Sequence, residues 1–236
     1  MKKKQCSAIV LAAGSGKRMN SDTKKQYMLI NDKPVLYYSL KAFQESFVDE
    51  IVLVVSSDDI SYCREEIVRK YGFTKVSKIV TGGKERYHSV AEGLKNVTSG
   101  GYVFIHDGAR PMLTQEILDR ALVCVEEYNA CVVGMPVKDT IKIADADKNI
   151  VETPNRSLVW MVQTPQVFEY QLIYEAYEEL LLKEDRLLSQ GISITDDAMV
   201  VEALTGKKVK LVEGSYENIK ITTPEDISLA ECFLKE

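Results

Sequence analysis

The sequence has little of what marks membrane-spanning or polyanion-binding proteins. No apolar run in its 236 residues approaches the ~18 that a transmembrane helix needs, so no membrane partner is expected. It also lacks a basic excess, because 30 lysines and arginines face 35 aspartates and glutamates and the net charge is -5. Proteins that bind polyanions usually carry surplus positive charge, so a nucleic acid is not the expected partner either.

Cysteine is sparse and shows no pairing pattern. The five cysteines are odd in number and form no C-x-x-C pair, which argues against both a disulfide framework and a zinc site. The basic start of the chain, Met1 to Lys4, is followed by an apolar run over 8–13 that is too short for a secretory signal. These features predict free thiols and a cytoplasmic location.

Apolar runs of strand length alternate with stretches of helical period through the first 135 residues. The predicted strands cover 7–13, 51–55, 76–80, 102–106 and 130–135. The predicted helices between them cover 34–44, 60–71, 89–97 and 115–128. Strands rich in valine and isoleucine on both faces are typical of buried parallel sheets. This order predicts an α/β fold with a doubly wound, mostly parallel, Rossmann-like sheet.

After Met135 the pattern changes to two alternating segments, 137–143 and 150–153, on either side of the turn-forming run 145–149. We predict a protruding β-hairpin arm over 137–153. A two-stranded hairpin is marginally stable alone, so the arm is expected to pack against another surface, with a second subunit as one candidate. Further helices are predicted from 172 onward and at Thr223-Pro224. With no internal repeat or linker, 1–236 is expected to form a single domain that carries the arm.

The loop after the first strand, Leu11-Ala-Ala-Gly14-Ser-Gly16-Lys-Arg18-Met19, is the first candidate phosphate site. Ligands of open α/β sheets bind beyond the carboxyl ends of strands, and backbone N–H groups of glycine-rich loops can close on an anion. The loop matches neither the Walker pattern nor the dinucleotide fingerprint. Basic residues at 17, 18, 24 and 25 add positive charge, although a solvated basic loop is an alternative explanation for the same residues.

Other strand-to-helix turns also carry residues suited to phosphate chemistry. Asp107 and Arg110 follow the strand that ends at His106, and the carboxylate could hold Mg²⁺ or could simply pair with Arg110. The glycine-containing segment 81–89 forms another such turn, and Lys220 is predicted to lie in a short apolar strand. Three such turns at one sheet edge predict a nucleotide site assembled from loops.

Sequence motifs extend along nearly the whole chain. They are Leu11 to Met19, Lys25-Gln-Tyr27, Gly82-Gly83 through Arg86 to Ser89-Val90, His106-Asp107 to Arg110-Pro111, Pro136 to Lys142, Asn155-Arg156, Gln163-Thr-Pro-Gln166, Thr195-Asp-Asp-Ala198 and Asn218 to Thr222. Taken in this order they resemble the 2-C-methyl-D-erythritol 4-phosphate cytidylyltransferases of the non-mevalonate isoprenoid pathway. The resemblance implies transfer of a cytidylyl group from CTP to methylerythritol phosphate, giving 4-diphosphocytidyl-2-C-methyl-D-erythritol and pyrophosphate.

The resemblance also implies which residues contact the nucleotide. Arg18 and Lys25 would stabilise charge on the α-phosphate, as positioned cations do in phosphoryl transfer. The loop that wraps the triphosphate would comprise Ala12, Ala13, Gly14, Ser15 and Gly16. Gly83 and Ser89 would read the polar edge of cytosine. Asp107 would hold the Mg²⁺ that bridges triphosphate oxygens.

For the sugar phosphate, the resemblance implies binding by Thr140, Arg156, Thr164, Lys220 and Arg110. Arg156 and Lys220 would join Arg18 and Lys25 as catalytic residues. In the family the hairpin arm crosses to the other subunit, so the resemblance implies a homodimer with arm exchange. Thr140 and Arg156 would then act in trans.

The chain departs from the family pattern at three positions. Lys84 stands where an acid often follows the glycines, but contact there is expected through the backbone. Lys24 stands where the family usually has proline, and it could partly substitute for Lys25. Asn155 replaces the acid that commonly precedes Arg156, so an acid–arginine pair would be lost there.

Two alternative functions share the fold. The first is a ribitol 5-phosphate cytidylyltransferase, which typically has Ala-Gly-Gly in the first loop and lacks the arm motif Asp139-Thr-Ile-Lys142; Ala12-Ala13-Gly14 and that motif favour the erythritol substrate. The second is a catalytically idle nucleotide-binding regulatory protein, because a fold does not by itself determine a function.

Overall fold

The computed structural model of the chain describes residues 4–14, 23–98 and 100–234. The predicted loop residues Ser15, Gly16 and Arg18 lie outside the described residues, as do Lys17 and Met19. The strands are β1 Cys6–Ala12, β2 Leu29–Ile30, β3 Lys33–Pro34, β4 Glu50–Val55, β5 Val76–Thr81, β6 Tyr102–Asp107, β7 Ala130–Pro136, β8 Ile143–Ala144, β9 Ile150–Glu152, β10 Trp160–Glu169 and β11 Lys210–Glu213. The helices are α1 Val35–Gln44, α2 Ile60–Tyr62 with a π-helical continuation Cys63–Arg69, α3 Arg86–Leu94, α4 Gln115–Tyr128, α5 Tyr170–Ser189, α6 Asp197–Thr205 and α7 Glu225–Phe233. Short 3₁₀ turns cover Lys25–Tyr27, Ser57–Asp59 and Arg156–Leu158.

A seven-stranded sheet with the strand order β11-β7-β10-β6-β1-β4-β5 forms the centre of the fold. β1 pairs in parallel with β4 and β6, β4 with β5, and β7 with β11. β10 is antiparallel to both of its neighbours, β6 and β7. The predicted α/β architecture with a mostly parallel sheet is therefore confirmed, with β10 as the antiparallel exception.

The sheet is covered on both faces, and β1 shows why its sequence lacks a polar face. Ala8 and Val10 pack into a cluster with side chains of α1, α2 and α4. Ile9, between them, packs into a second cluster with side chains of α3, α5 and α6. Because successive strand residues face opposite sides, a strand buried on both faces must be apolar throughout.

The strand order reverses between β1 and β6. From β1 the chain passes to β4 and β5 on one side, and it then returns to β6 on the other side of β1. Leu11 and Asp107 are register partners at this point, and the Gly108 N–H donates to the Leu11 carbonyl at 2.8 Å. Ligands of open α/β sheets bind at such a reversal, next to the carboxyl ends of the strands.

Some predicted elements differ from those observed. The helix predicted over 89–97 begins at Arg86, because Glu85 caps it and the Glu85 N–H donates to His88 Nδ1 at 3.2 Å. The predicted strand around Lys220 is wrong, since residues 218–222 are irregular. That segment bonds to a loop instead, with the Ile221 N–H donating to the Ala109 carbonyl at 2.8 Å.

The predicted hairpin is present, but its paired strands are short. β8 and β9 contribute two and three residues and pair in antiparallel fashion. Asp145 closes the turn by accepting the Asn149 N–H at 2.9 Å. None of the helices within 4–14, 23–98 and 100–234 is both long and apolar enough to cross a membrane.

Candidate active site: two pockets joined at Asp107

Two adjoining pockets lie at the carboxyl edge of the sheet. The first has a volume of about 400 Å³ and is lined by Leu11, Ala12, Ala13, Gly14, Lys25, Gln26, Gly83, Lys84, Glu85, Arg86, Ser89, Asp107, Ala109 and Lys220. The second has a volume of about 290 Å³ and is lined by Arg86, Asp107, Arg110, Val162, Gln163, Thr164, Gln166, Thr195, Asp196 and Lys220. Arg86, Asp107 and Lys220 belong to both linings and mark the junction of the pockets. Most of the predicted site residues in the described chain thus converge on one edge.

Asp107 is the last residue of β6 and lies at the junction. Its Oδ2 accepts from Lys220 Nζ at 2.6 Å, and its Oδ1 lies 3.3 Å from Arg86 Nε. Burial alone would raise the pKa of this carboxyl group, but the Arg86 and Lys220 cations outweigh burial and hold the pKa far below its usual range. Asp107 is therefore ionised throughout the physiological range, which suits it to bind a cation or accept from a hydroxyl group.

A chain of hydrogen bonds behind Asp107 fixes three of the predicted residues. The Asp107 N–H donates to Thr164 Oγ1 at 3.1 Å, and Thr164 Oγ1 lies 3.0 Å from Nδ1 of the fully buried His106. His106 Nε2 lies 3.2 Å from the Arg110 carbonyl, which can only accept. Burial lowers the pKa of His106 to about 4, so the ring is neutral, with Nε2 as donor and Nδ1 as acceptor. Neutral His106 thereby orients Thr164 and Arg110.

Arg110 lines the second pocket and contacts the irregular segment 218–222, which carries Lys220. Its Nη1 donates to the Asn218 carbonyl at 2.8 Å. Asn218 is fully buried, and its Nδ2 donates to the Thr164 carbonyl at 2.9 Å. Lys220 is therefore positioned by side-chain anchors on an irregular segment rather than by strand pairing. The Arg110 Nε is buried and has no hydrogen-bond partner among the described residues.

The turn after β5 forms a tight wall of the first pocket. The Gly83 N–H donates to Ser89 Oγ at 3.1 Å. A Cβ atom on Gly82 would lie 2.6 Å from Ser89 Oγ and 2.7 Å from Ala13 Cβ, and one on Gly83 would lie 2.3 Å from His88 Cβ. A larger residue at 82 would therefore displace Ser89 or Ala13, and one at 83 would displace His88.

Both neighbours of Lys25 are anchored by side-chain hydrogen bonds. Gln26 is buried, and its Nε2 donates to the carbonyls of Ala12 at 2.8 Å and Gly14 at 3.1 Å. Lys24 Nζ binds Asp59 Oδ2 at 2.6 Å and Ser56 Oγ at 2.8 Å. Of the two lysines, Lys25 alone lines the pocket, so the structure does not place Lys24 as its substitute.

The predicted arm residues stand apart from both pockets. Thr140 and Arg156 are exposed and line neither pocket. Arg156 Nη1 donates to the Lys138 carbonyl at 2.8 Å, within the base of the same arm. Asn155, which replaces the acid common in the family, caps the 3₁₀ turn by accepting the Ser157 N–H at 3.1 Å.

Arg86 and Asp197 belong to the site but carry no role in the sequence-based prediction. Arg86 opens α3 and forms a two-pronged ion pair with Asp197, with both Nη···Oδ distances at 2.8 Å. Both residues fall inside motifs, so the sequence offered a signal. It did not reveal that the two motifs meet, because 111 residues separate them.

Comparisons with known proteins point to one family. Residues 6–236 match the family model for 2-C-methyl-D-erythritol 4-phosphate cytidylyltransferase. A protein of that name from Lachnoclostridium phytofermentans is 53% identical over 230 residues, covering 98% of this chain and 96% of that protein. Another from Lachnospira eligens is 53% identical over 232 residues, covering 97% of this chain and 99% of that protein. The crystal structure of 4-diphosphocytidyl-2C-methyl-D-erythritol synthase from Anaerococcus prevotii superposes with a TM-score of 0.84 at 36% identity, covering 99% of this chain and 97% of that one.

Proposed function

The chain belongs to the 2-C-methyl-D-erythritol 4-phosphate cytidylyltransferase family and is a CTP-dependent cytidylyltransferase, and we propose how its two joined pockets carry out the reaction. The enzyme transfers a cytidylyl group from CTP to 2-C-methyl-D-erythritol 4-phosphate. A phosphate oxygen of the sugar phosphate forms a bond to the α-phosphorus of CTP. The bond from that phosphorus to the β-phosphate breaks, and pyrophosphate leaves with the bonding electrons.

The first pocket binds CTP in our proposal. Its walls are the end of β1 with Ala12, Ala13 and Gly14, and the turn with Gly83 and Ser89. The tight packing around Gly82 and Gly83 leaves backbone amides and one hydroxyl group for the polar edge of cytosine. Lys25 stabilises charge on the α-phosphate, and the sequence predicts the same role for Arg18, which lies outside the described residues.

The second pocket binds the sugar phosphate in our proposal. Arg110 and Lys220 supply positive charge, and Thr164 and Asp107 supply groups for its hydroxyls. The single observation that supports this arrangement best is the junction, where Lys220 and Arg86 face Asp107 between the two pockets. A nucleophilic phosphate held by Lys220 would thus lie next to the α-phosphate held by Lys25, as an in-line displacement requires.

We also propose that the enzyme uses Mg²⁺ bound to CTP. No group of three or more potential ligands among histidine, cysteine, aspartate and glutamate gathers within the described residues. A single ionised carboxylate is nevertheless a fitting donor, because Mg²⁺ typically takes one or two carboxylates and completes its shell with phosphate oxygens and water. Asp107 would be that donor, after Lys220 or Arg86 releases one of its oxygens. Bound Mg²⁺ would neutralise charge on the triphosphate.

We further propose a homodimer in which the arm completes the site of the other subunit. Four apolar side chains of the arm and its base are exposed to solvent: Ile143 at 45%, Ile150 at 63%, Val151 at 61% and Leu158 at 78%. An exposed apolar set on a short hairpin is typical of an interface. Arg156 and Thr140 would then reach the sugar phosphate in trans.

The same proposal describes 1–236 as one domain that carries the arm over 137–153. Because the reaction consumes CTP, we place it in the cytoplasm, where nucleoside triphosphates are made. The predicted absence of nucleic-acid and membrane partners follows from the acidic charge and the hydropathy pattern of the sequence.

The test is to incubate the protein with CTP and Mg²⁺ and either methylerythritol phosphate or ribitol phosphate, and to measure pyrophosphate release. Release that depends on methylerythritol phosphate is expected. Pyrophosphate release with ribitol phosphate alone would overturn the assignment of methylerythritol phosphate as the substrate. The absence of release with both sugar phosphates would favour a regulatory nucleotide-binding role. Omission of Mg²⁺ with excess chelator should abolish turnover if the metal proposal holds.

A further inference from the structure

Arg86 lines both pockets, and its guanidinium is held from two sides. Its two Nη atoms bind Asp197, and its Nε lies 3.3 Å from Asp107. The Arg86 side chain remains 29% exposed, while the Asp197 side chain is fully buried. The planar guanidinium therefore has one edge tied to the protein interior and another edge facing the pocket junction.

Asp197 is oriented by several elements at once. It opens α6, and its N–H donates to Gln166 Oε1 of β10 at 3.0 Å. Its Oδ1 accepts from the Tyr177 hydroxyl of α5 at 2.5 Å. A buried carboxylate is stable only when its charge is paired and its oxygens accept hydrogen bonds. Arg86 supplies the charge, so Asp197 and Arg86 form a preorganised unit.

The charges around the junction favour an anion. The cations that line the two pockets are Lys25, Lys84, Arg86, Arg110 and Lys220, and the carboxylates that line them are Glu85, Asp107 and Asp196. If Asp107 instead engages a hydroxyl or a cation, Arg86 keeps Asp197 as its partner. The guanidinium would then stay in place and present Nε to whatever occupies the junction.

We propose that Arg86 binds a substrate phosphate at the junction of the pockets, and that Asp197 is the positioning residue that holds its guanidinium there. This inference rests on the proposed function of the two pockets. A charge-assisted hydrogen bond from an N–H of a fixed guanidinium is more directional than one from the flexible ammonium group of a lysine. Because Arg86 belongs to both linings, its loss should weaken the use of both substrates.

The experiment compares Arg86→Lys and Asp197→Asn with the double variant. Arg69→Lys is the matched control, because Arg69 is an exposed arginine paired with Glu65 far from the site in sequence and in contacts. Pyrophosphate release is measured with CTP and methylerythritol phosphate varied separately. We expect each single site variant to lose roughly 10- to 100-fold in kcat/KM. The double variant should lose no more than the worse single one, because residues that act as a unit are not additive.

Wild-type kcat and KM in Arg86→Lys would overturn the proposal, and so would losses that multiply in the double variant. A purely structural role of Asp197 would lower Tm and leave both KM values unchanged. If Asp197→Asn does not fold, Tyr177→Phe replaces it, since that variant removes one hydrogen bond and keeps the Asp197 charge. The loss caused by Tyr177→Phe should appear in the wild-type background and disappear in the Arg86→Lys background.

A failure of the proposed function can be recognised separately. If the wild-type protein releases no pyrophosphate with either sugar phosphate, the reaction assignment is wrong whatever the variants do. Calorimetric titration with CTP then tests Arg86 alone. Roughly tenfold weaker binding in both Arg86→Lys and Asp197→Asn would support the proposal, and unchanged binding would overturn it.

Discussion

Asp107 and Arg156 are both predicted to act on phosphates or on their metal ion, but the fold treats them differently. Asp107 is 8% exposed, lies at the end of a buried strand and contacts Arg86 and Lys220. Arg156 is exposed in a 3₁₀ turn and donates only to the carbonyl of Lys138 among the hydrogen bonds described for it. One chain builds the core half of the proposed site around Asp107, whereas the arm half that we propose, with Arg156, is exposed to solvent.

The difference has a physical cause in desolvation. A charge buried at the sheet edge is tolerated only with partners, so Asp107 must acquire its cations within the same chain. An exposed arginine has no such requirement, and its contacts in water contribute little to folding. The arm can therefore keep Arg156 available for a partner without a cost to the stability of its own chain.

The largest effect on the core half is expected from Lys25→Ala. Loss of one positioned cation at the α-phosphate should lower kcat by about 100- to 1000-fold while CTP still binds. Lys24→Ala is the matched control, because Lys24 is held by Asp59 and Ser56 and should change kcat only a few-fold. Steady-state kinetics of pyrophosphate release make the comparison. Equal losses in the two variants would show that Lys24 also reaches the triphosphate.

Arg156→Ala should have the next largest effect and should act on the other half of the site. A rise of roughly 10- to 100-fold in KM for methylerythritol phosphate is expected, with KM for CTP little changed. Pyrophosphate release with each substrate varied in turn measures both constants. An unchanged KM for the sugar phosphate would show that Arg156 does not bind this substrate.

The trans arrangement is tested by mixing this variant with Lys25→Ala. Random mixed dimers contain one intact site each, so about a quarter of wild-type activity should return. No return of activity, with mixed dimers shown to form, would place both halves of the site in one chain.

Ile150→Glu should dissociate the proposed dimer without changing any polar residue of the two pockets or of the arm. Ile150 is 63% exposed on the arm, and a charge there should weaken an apolar interface by roughly tenfold or more. The matched control is Leu182→Glu, because Leu182 is 87% exposed on α5 outside the arm. Sedimentation analysis should show monomers for the first variant and dimers for the second. Dimers in both would remove the arm from the interface.

The sequence predicted most strands of the central sheet correctly, because the signals for these strands are local. Alternation of apolar strands and helical periods located β1, β4, β5, β6 and β7, and α4 matched its predicted range of 115–128 to the residue. β10 was missed, since Gln163 to Gln166 interrupts any strand pattern. Lys220 was placed in a strand that does not exist, because a short apolar run looks the same whether it pairs with a strand or with a loop.

The site was predictable where a residue contributes chemistry and hidden where it supports another residue. Asp107 ends strand β6 and Lys25 begins a 3₁₀ turn, and the charge of each side chain is visible in the sequence. His106 and Asp197 are buried, and their importance comes from partners that are distant in sequence, such as Thr164 and Arg86. No periodicity reports such contacts, which only the folded chain brings together.

The smallest effect expected is a pH dependence of stability that originates in the core half. Burial lowers the pKa of His106 to about 4, against about 6.5 in an unfolded chain. A histidine with a lowered folded-state pKa contributes stability that is present above pH ~6.5 and is lost as the pH falls towards 4. At pH 5.5 the loss should be about 1.4 kcal/mol, or roughly 3–5 °C in Tm for a chain of this size.

His106→Asn isolates this effect, because an amide can donate to the Arg110 carbonyl and accept from Thr164 without titrating. Asp107 does not interfere, since its pKa is held below its usual range and it stays ionised across this window. His88 is present in both proteins and cancels in the difference. Calorimetric Tm values at pH 7.5 and 5.5 should therefore fall further for the wild type than for the variant. An equal fall in Tm would contradict the prediction. It would mean that the folded chain tolerates protonated His106 and that water reaches the ring behind Asp107.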